Sequence, residues 1–246
     1  MSATMAVGLQ DPEGAILMWT KLQVPKDLEL NIEWDGLFLP LIQAPGHSGS
    51  GWARFENSDT ILLVTEWKRT LDQRGFIASP SAQLYHEDLK SKGIVHVSSH
   101  ETRSSRFIFF DPLMKSYLQF FWIYFTAPVT EAQLIQISKI KSIRGVAILK
   151  NFTNDLEKSR DYLHPIKMWA NHIEFVDGQE AQLLLWPHFW KSAELAEIRH
   201  AGKYVMSGDK RFGSGSRQER VCENLDKLEP MSWKEHFLSF RRIPDI

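Results

Sequence analysis

The sequence has little of what several functional classes require. Its 246 residues include one cysteine, Cys222, which excludes a disulfide within the chain and zinc sites built from cysteine. Lys and Arg number 29 against 30 Asp and Glu, so the net charge is −1. Proteins that hold nucleic acid or anionic membranes usually show a basic excess. We therefore expect no nucleic-acid partner and no membrane partner.

Long apolar runs and recognisable targeting or cofactor motifs are also missing. The longest apolar clusters, at 107–110 and 120–125, are far shorter than the ~20 residues that span a membrane. Residues 1–14 show no basic start followed by an apolar run, so we expect no secretory signal and a cytoplasmic location. The sequence contains no HExxH, GxGxxG or phosphate-loop motif, so it predicts no metal and no cofactor.

Aromatic residues, in contrast, are abundant, with 15 Phe, 9 Trp and 5 Tyr. A large core explains most of them. The alternative is that some line a cavity for an apolar, polycyclic or polyene ligand, because such cavities are rich in aromatic side chains. The partner expected on that alternative is an apolar small molecule.

Patterns of strand-forming and helix-forming residues give residues 15–100 the order β-α-β-β-α-β, which is that of a ferredoxin-like unit. The predicted strands are 15–24, 51–56, 60–67 and 94–100. The helical region before the last strand is expected to break at Ser79-Pro80 and to end at Gly93. Two glycine-rich segments, 44–51 and 213–216, are predicted to be mobile loops that act as pocket lids.

The second half repeats this order. Its predicted strands are 120–127, 145–151, 180–190 and 232–241, with an insertion near 151–165 and an additional strand or variable extension at 166–175. Thr130 is expected to cap the helix that follows the first of them, and Pro187 suggests a sheet edge or a bulge.

The domains predicted from this repeat are a tail of residues 1–14, a first unit of 15–110 and a second unit of 111–246. A short echo supports the repeat, because the third predicted strand of each half ends on Trp-Lys. The predicted fold class is α+β, with two fused ferredoxin-like units.

A strand that ends in Trp67, followed by the Phe-Ile-Ala-Ser-Pro segment of residues 76–80, resembles the antibiotic-biosynthesis monooxygenase type of dimeric α+β barrel. The resemblance is best over about residues 60–100. It implies a fused version of that family, a pseudo-dimeric α+β barrel that is a monomer or a homodimer, with a ligand pocket between a sheet and its helices. Members of the family include cofactor-free oxygenases, cyclases, isomerases and heme-handling proteins, so the resemblance leaves the chemistry open.

The main catalytic candidate is His188. Alternate residues of a strand share a face, so His188 is expected to point the same way as Trp186 and Trp190. A histidine between two indoles would have a lowered pKa and would act as a general acid, a general base or a hydrogen-bond donor. The alternative is a packed histidine at a sheet edge.

Tyr124 is the second catalytic candidate, because its hydroxyl would donate to a developing enolate or carbonyl oxygen. It is expected to share a strand face with Trp122. Core packing is the alternative for both of these residues. The substrate-binding residues predicted across the chain are Trp52, Trp67, His96, Trp122, Trp186 and Trp190.

His96 and His100 are four residues apart in a predicted strand, where they are expected to share one face. Without a third ligand or a nearby carboxylate cluster, a polar pocket wall is favoured over a metal site. A heme ligand such as His164 is conceivable on the resemblance, but a single histidine is weak support for it.

These observations favour a cofactor-independent biosynthetic enzyme, specifically a cyclase or pericyclase that closes a ring in an apolar polyene, terpenoid or polyketide intermediate. Aromatic walls would fold a flexible substrate toward the reactive shape, and one or two donors would polarise a carbonyl. The first alternative is a cofactor-free monooxygenase of an electron-rich phenol or anthrone. The second is a non-catalytic carrier or heme-binding protein.

Overall fold

A computed structural model of the chain describes residues 15–28, 32–103, 110–140, 166–190, 192–194, 196 and 215–244. The chain divides into two compact units, one made of residues 1–110 with 241–246 and the other of residues 111–240. The predicted tail, the insertion, the strand at 145–151 and His164 lie outside the described residues.

The first unit follows the order β-α-β-β-α-β, with a pair of helices in each helical position. The strands are β1 (Ile16–Gln23), β2 (His47–Arg54), β3 (Thr60–Trp67) and β4 (Val95–Arg103). The helices are α1 (Ile32–Gly36), α2 (Leu39–Ile42), α3 (Thr70–Ile77) and α4 (Pro80–Ser91). The strands pair antiparallel in the order β4-β1-β3-β2.

In the second unit, the described elements follow the same order. After α5 (Phe110–Lys115), the strands are β5 (Tyr117–Thr126), β6 (Met168–Val176), β7 (Gln179–Trp190) and β8 (Ser232–Ser239). The helices are α6 (Glu131–Lys139) and α7 (Gly215–Asp226). The strands pair antiparallel in the order β8-β5-β7-β6, so strands counted within each unit follow 4-1-3-2 in both. The predicted α+β class is confirmed, and the first unit has the predicted order of elements.

One segment of the second unit takes a different place from the one predicted. Residues 166–175 were expected to be an additional strand or an extension, with the second strand at 145–151. In the structure, β6 pairs with β7 and holds the second-strand position. Pro187 is tolerated in β7 because the pairing with β6 ends at Leu185, so no described partner on that side needs its missing amide hydrogen.

The C-terminal residues belong to the first unit. A short strand, β9 (Arg241–Arg242), pairs with Gly51 and Trp52 of β2, and the amide of Ile243 donates to the carbonyl of Ser50 at 2.9 Å. The Ile243 side chain is buried in the core of that unit. The second unit was expected to extend to residue 246; it ends before Arg241, because these backbone bonds tie the last residues to β2.

Local signals for the helix ends are confirmed. The Ser79 hydroxyl accepts from the amide of Ala82 at 3.2 Å and caps α4, with Pro80 at the first helical position. Gly93 follows α4 with φ of +71°, as a residue at a helix end often does. Thr130 caps α6 and forms a capping box with Gln133.

The glycine-rich segment 44–51 was predicted to be a mobile lid, and that prediction is wrong for its second half. His47–Gly51 form the start of β2. A Cβ at Gly49 would lie 2.8 Å from the Phe110 ring, so the glycine is required by close packing rather than by mobility. At the other predicted lid, residues 215 and 216 begin α7, and 213 and 214 lie outside the described residues.

In each unit, a buried apolar cluster joins one sheet face to the helices that follow its strands. Within the described residues, no helix is both long and apolar enough to cross a membrane.

Candidate active site

A cavity of about 360 Å³ lies inside the first unit, between the sheet and the helices that cover it. We call it the inner cavity. Alternate residues of β1 and β3 supply its floor, because alternate side chains of a strand share a face. Helices α3 and α4 supply its roof. The floor residues are Met18, Thr20, Leu22, Leu63, Thr65 and Trp67.

The apolar part of the inner cavity is built from aromatic side chains. The Trp67 and Phe76 rings lie 5.4 Å apart between centroids, and the Phe76 and Tyr85 rings 6.3 Å apart. Trp67 is fixed by its Nε1, which donates to Thr65 Oγ1 at 3.1 Å. Burial raises the pKa of Tyr85, so its phenol stays protonated and is available as a donor.

A β-bulge in β4 builds the polar edge of the inner cavity. Leu22 of β1 pairs with His96 and Lys21 pairs with Ser98, so Val97 is an extra residue. The bulge moves the alternation by one position and places His96 and Ser99 on the same face. Bulges of this kind often re-aim a side chain toward a functional site.

The side chains at this edge form a continuous hydrogen-bonded chain. His96 Nε2 and Ser99 Oγ are 2.8 Å apart, and Ser99 Oγ and Thr20 Oγ1 are 2.9 Å apart. With Nε2–H donating to Ser99, the Nδ1 lone pair of His96 is left to accept a proton. The chain can therefore hold a proton at one end of an apolar cavity.

Burial lowers the pKa of His96, and the charges of His86 and His100 lower it further. The imidazole is therefore neutral at neutral pH, which is the form that a general base needs. His86 also lines the inner cavity, from α4.

His96 and His100 were predicted to share a strand face, and the structure shows that they do not. His100 pairs with Trp19, whereas His96 pairs with Leu22, and the bulge lies between the two. His100 is buried, with its Nε2 3.2 Å from Ser98 Oγ. The earlier assignment was wrong because strict alternation fails at a bulge.

Trp52 was predicted to bind substrate, but it does not line the inner cavity. It pairs with Leu63 on the same sheet face and packs edge-on against Trp34, with ring centroids 5.8 Å apart. The Arg241 guanidinium lies 5.5 Å from its ring. These contacts make Trp52 part of the core.

In the second unit, Trp186, His188 and Trp190 share a face, as predicted, and all three are fully buried. The His188 ring centroid lies 4.7 Å from that of Trp186 and 5.2 Å from that of Phe121. Trp186, Trp190 and Phe121 belong to the buried cluster that includes residues of α6 and α7. None of them reaches the inner cavity of the first unit.

His188 is held neutral by its surroundings. Burial lowers its pKa to about 3, with a further lowering from the charge of Lys167, and backbone groups of Trp186 and Gln119 only partly offset this. Neither ring nitrogen makes a hydrogen bond of good geometry with a described residue. A histidine this enclosed has no described opening through which to meet a substrate.

Tyr124 lies on the other side of the same sheet. It pairs with Leu183, while Phe121 pairs with Trp186, and residues an odd number apart in β5 point to opposite faces. Its hydroxyl accepts from Trp122 Nε1 at 3.0 Å. The two predicted catalytic residues, His188 and Tyr124, therefore cannot act together on one group. Trp122 is placed with Tyr124, away from His188.

The structure thus brings together two of the predicted residues, Trp67 and His96, and adds others that sequence reasoning missed. The missed polar residues of the inner cavity are Thr20, Thr65, Gln73, Tyr85, His86 and Ser99. Alternation along the predicted first strand would have placed Thr20 on the same face as Leu22. The position of Ser99 depends on the bulge, for which the sequence carries no clear signal.

Other chemistry finds less support in the described part of the chain. It holds no group of three or more His, Cys, Asp or Glu side chains arranged to bind a metal. Burial raises the pKa of Cys222 to about 11, and the charges of Glu235 and Asp226 contribute, so this thiol is not a thiolate at neutral pH.

Neither protein-family models nor curated protein sequences match this chain. Among solved structures, an anthrone oxidase-like protein aligns with a TM-score of 0.52 and 10% identity, over 96% of each chain. A candidate monooxygenase from Lactobacillus acidophilus aligns with a TM-score of 0.47 and 11% identity, over 94% of this chain and 95% of the other. At such identities, the first similarity concerns the fold alone.

Proposed function

We propose that this protein is a cofactor-independent monooxygenase that binds an apolar aromatic molecule in the inner cavity. The observation that carries the proposal is the hydrogen-bonded chain of His96, Ser99 and Thr20 at the edge of an otherwise apolar, aromatic cavity. Pockets of about 300–1,000 Å³ with apolar walls and few polar groups are typical of small-molecule sites. The inner cavity is at the small end of that range, which favours a compact ring system.

The proposed substrate class is an anthrone or an electron-rich phenol, whose carbanion or enolate reacts with O₂ directly. Neutral His96 accepts the acidic proton, and the enzyme-bound carbanion passes an electron to O₂. The two radicals combine to a peroxide, which takes the proton back. Removal of the second C–H proton breaks the O–O bond and expels hydroxide, which leaves with that proton as one molecule of water and gives the carbonyl.

The atoms and electrons of this reaction balance. A CH₂ group and O₂ become C=O and H₂O, so the substrate supplies four electrons, one oxygen atom enters the product and the other becomes water. Tyr85 is positioned among the aromatic walls as a neutral donor.

A cyclase, which the sequence alone favours, has less support from the site. Pericyclic ring closure uses a shaped apolar wall and needs no proton acceptor, whereas this cavity holds a histidine with a lowered pKa at the end of a hydroxyl chain. That one structure of similar fold is described as anthrone oxidase-like agrees with the oxygenase chemistry. Cyclase activity and non-catalytic ligand binding are the alternative outcomes of the experiment that follows.

The test is conversion of an anthrone by the purified protein under ¹⁸O₂, followed by mass spectrometry. One ¹⁸O atom in the product is the expected result. An isomer of unchanged mass would indicate a cyclase instead, and binding without conversion would indicate a carrier. A Soret band in the purified protein would indicate heme binding.

The role of His96 is tested with His96→Gln, and the matched control is His172→Gln, which changes an exposed histidine of β6. Removing a general base typically costs 10²–10⁴-fold in rate, so turnover of His96→Gln should fall by about that factor. In the unaltered protein, kcat/KM should fall as the pH drops below the lowered pKa of His96. Unchanged turnover in a folded His96→Gln variant would refute the assignment.

We also propose that the chain is a tandem of two copies of one ferredoxin-like unit. The support is the shared 4-1-3-2 strand order and the Trp-Lys sequence at the end of the third strand of each unit. Expression of residues 111–240 alone tests this proposal, because a unit descended from an independent copy should fold with the same secondary structure.

A further inference from the structure

A second cavity of about 520 Å³ lies beside the inner cavity in the first unit. We call it the outer cavity. Its walls come from the α2–β2 connection, from α3 and from the start of α4. Pro40, Ala44 and Leu71 make it partly apolar, and Ser81 adds a hydroxyl at the start of α4.

Phe76 lines both cavities, and it is the one described residue that does so. Its side chain is nearly buried, with 8% exposed, and its ring contacts Trp67 and Tyr85 on the inner side. The Phe76 ring is therefore the partition between the two cavities.

The helix that carries this ring is short and contains a glycine. Arg69, at the N-cap of α3, makes no side-chain capping bond, but its guanidinium donates two hydrogen bonds, of 2.7 and 3.0 Å, to Asp72 in the first turn. Gly75, next to Phe76, faces open space, and glycine inside a helix costs about 1 kcal/mol relative to alanine. At the C-terminal end, the Ser79 hydroxyl donates to the Phe76 carbonyl at 2.6 Å. The ring is thus carried on a short helix that is held at both ends and has a glycine next to the ring.

We propose that the outer cavity is a second subsite of the ligand site and that Phe76 sets the length of ligand that is accepted. The rings of the ligand occupy the inner cavity, and an apolar tail displaces the Phe76 ring and extends into the outer cavity. This inference rests on the proposed function only in requiring that the inner cavity binds an apolar ligand.

The experiment compares two fluorescent probes, 1-anilinonaphthalene-8-sulfonate and its covalent dimer, which differ in length. Phe76→Ala removes the partition, so the affinity for the dimer relative to the monomer should rise at least tenfold. Ile77→Ala is the matched control, because Ile77 lines the inner cavity only, and it should leave that ratio unchanged. In the Phe76→Ala background, Leu71→Ala should weaken binding of the dimer and not of the monomer, because Leu71 lines the outer cavity only.

Near-UV circular dichroism establishes that each variant is folded. If Phe76→Ala does not fold, Phe76→Leu shortens the side chain while keeping it apolar, and the same rise in the ratio is expected. A ratio that stays constant in a folded Phe76 variant overturns the second subsite.

Failure of the proposed function has a separate signature. Leu63→Trp fills the inner cavity and should weaken binding of the monomer. If the monomer does not bind, or binds equally well after Leu63→Trp, then both the inner-cavity site and the subsite are wrong. If the monomer binds there and the ratio alone stays constant, only the subsite is wrong.

Discussion

The two units share a strand order but fill the same place differently. In each, the last residues of the third strand face the covering helices and end on a tryptophan. In both units these side chains are buried, and in the first unit they also line the inner cavity. The matched residues are Leu63, Thr65 and Trp67 in the first unit and Trp186, His188 and Trp190 in the second.

The difference teaches that the same strand position can border a cavity in one unit and pack against aromatic neighbours in the other. Leu63 and Thr65 are smaller than Trp186 and His188, which stand at the same distances from the strand end. Protein interiors are filled to the density of organic crystals, so a smaller side chain leaves space unless neighbours move in. Side-chain volume on the third strand is therefore one difference between the strand face that borders the inner cavity and its packed counterpart.

The largest expected effect concerns His188 and pH. Its folded pKa of about 3 lies below its ordinary value of 6.5, so its contribution to stability is complete above pH 6.5 and is lost as pH falls toward 3. Linkage gives a loss of roughly 3 kcal/mol between pH 7 and pH 4. Urea unfolding between pH 7 and pH 4 measures it, and His188→Gln should flatten the dependence. An equally steep dependence in that variant would show that other groups are responsible.

The second prediction concerns a large-to-small substitution in the core of the second unit. Trp186→Leu copies Leu63 into the second unit and removes most of a fully buried indole, so the free energy of unfolding should fall by about 3 kcal/mol. Trp169→Leu, at a half-buried position, is the control and should cost less. Chemical denaturation measures both. Equal losses would mean that the Trp186 site collapses around the smaller side chain.

The third prediction concerns a substitution that fills the inner cavity. Leu63→Trp copies Trp186 into the first unit, and occupation of the inner cavity by the indole should weaken binding of an apolar probe about tenfold, or roughly 1.4 kcal/mol. Leu63→Met, a change of similar volume, should leave binding nearly unchanged. Fluorescence titration compares them. Equal binding by both variants would place the probe elsewhere.

The smallest expected effect on stability concerns the side-chain helix caps found in both units. Ser79 caps a helix that follows the third strand of the first unit, and Thr130 caps the helix that follows the first strand of the second, so Ser79→Ala and Thr130→Ala should each lower the free energy of unfolding by about 1 kcal/mol. Ser81→Ala, at an exposed position, is the control. Thermal unfolding measures the three. A much larger loss for Ser79→Ala would reflect its additional bond to the Phe76 carbonyl.

Short-range sequence patterns predicted most of the described strands and helix ends. The strand at 60–67 and the cap at Ser79-Pro80 depend on short-range sequence, and the structure has them where they were expected. The glycine-rich segment misled because glycine is used both for mobility and for close packing, and Gly49 serves the second purpose against Phe110. Only the tertiary contact distinguishes the two uses.

The candidate site was harder to predict than the fold. Trp67 and His96 were named from sequence and do line the inner cavity. The His188 assignment placed a site in the second unit because its tryptophans alternate correctly, but alternation reports a shared face and not the presence of space. Ser99 joins His96 only through the bulge at Val97, which depends on how β1 and β4 pair.

The strand pairing between β9 and β2 has a consequence for biosynthesis. Arg241 and Arg242 complete the sheet of the first unit, and Ile243 completes its core, yet about 130 residues of the second unit are translated before them. During translation, the first unit therefore emerges from the ribosome without β9. The whole second unit must be synthesised before β9 and Ile243 become available. Until then, the edge of β2 that pairs with β9 has unpaired backbone groups. These groups are paired only after β9 has been synthesised.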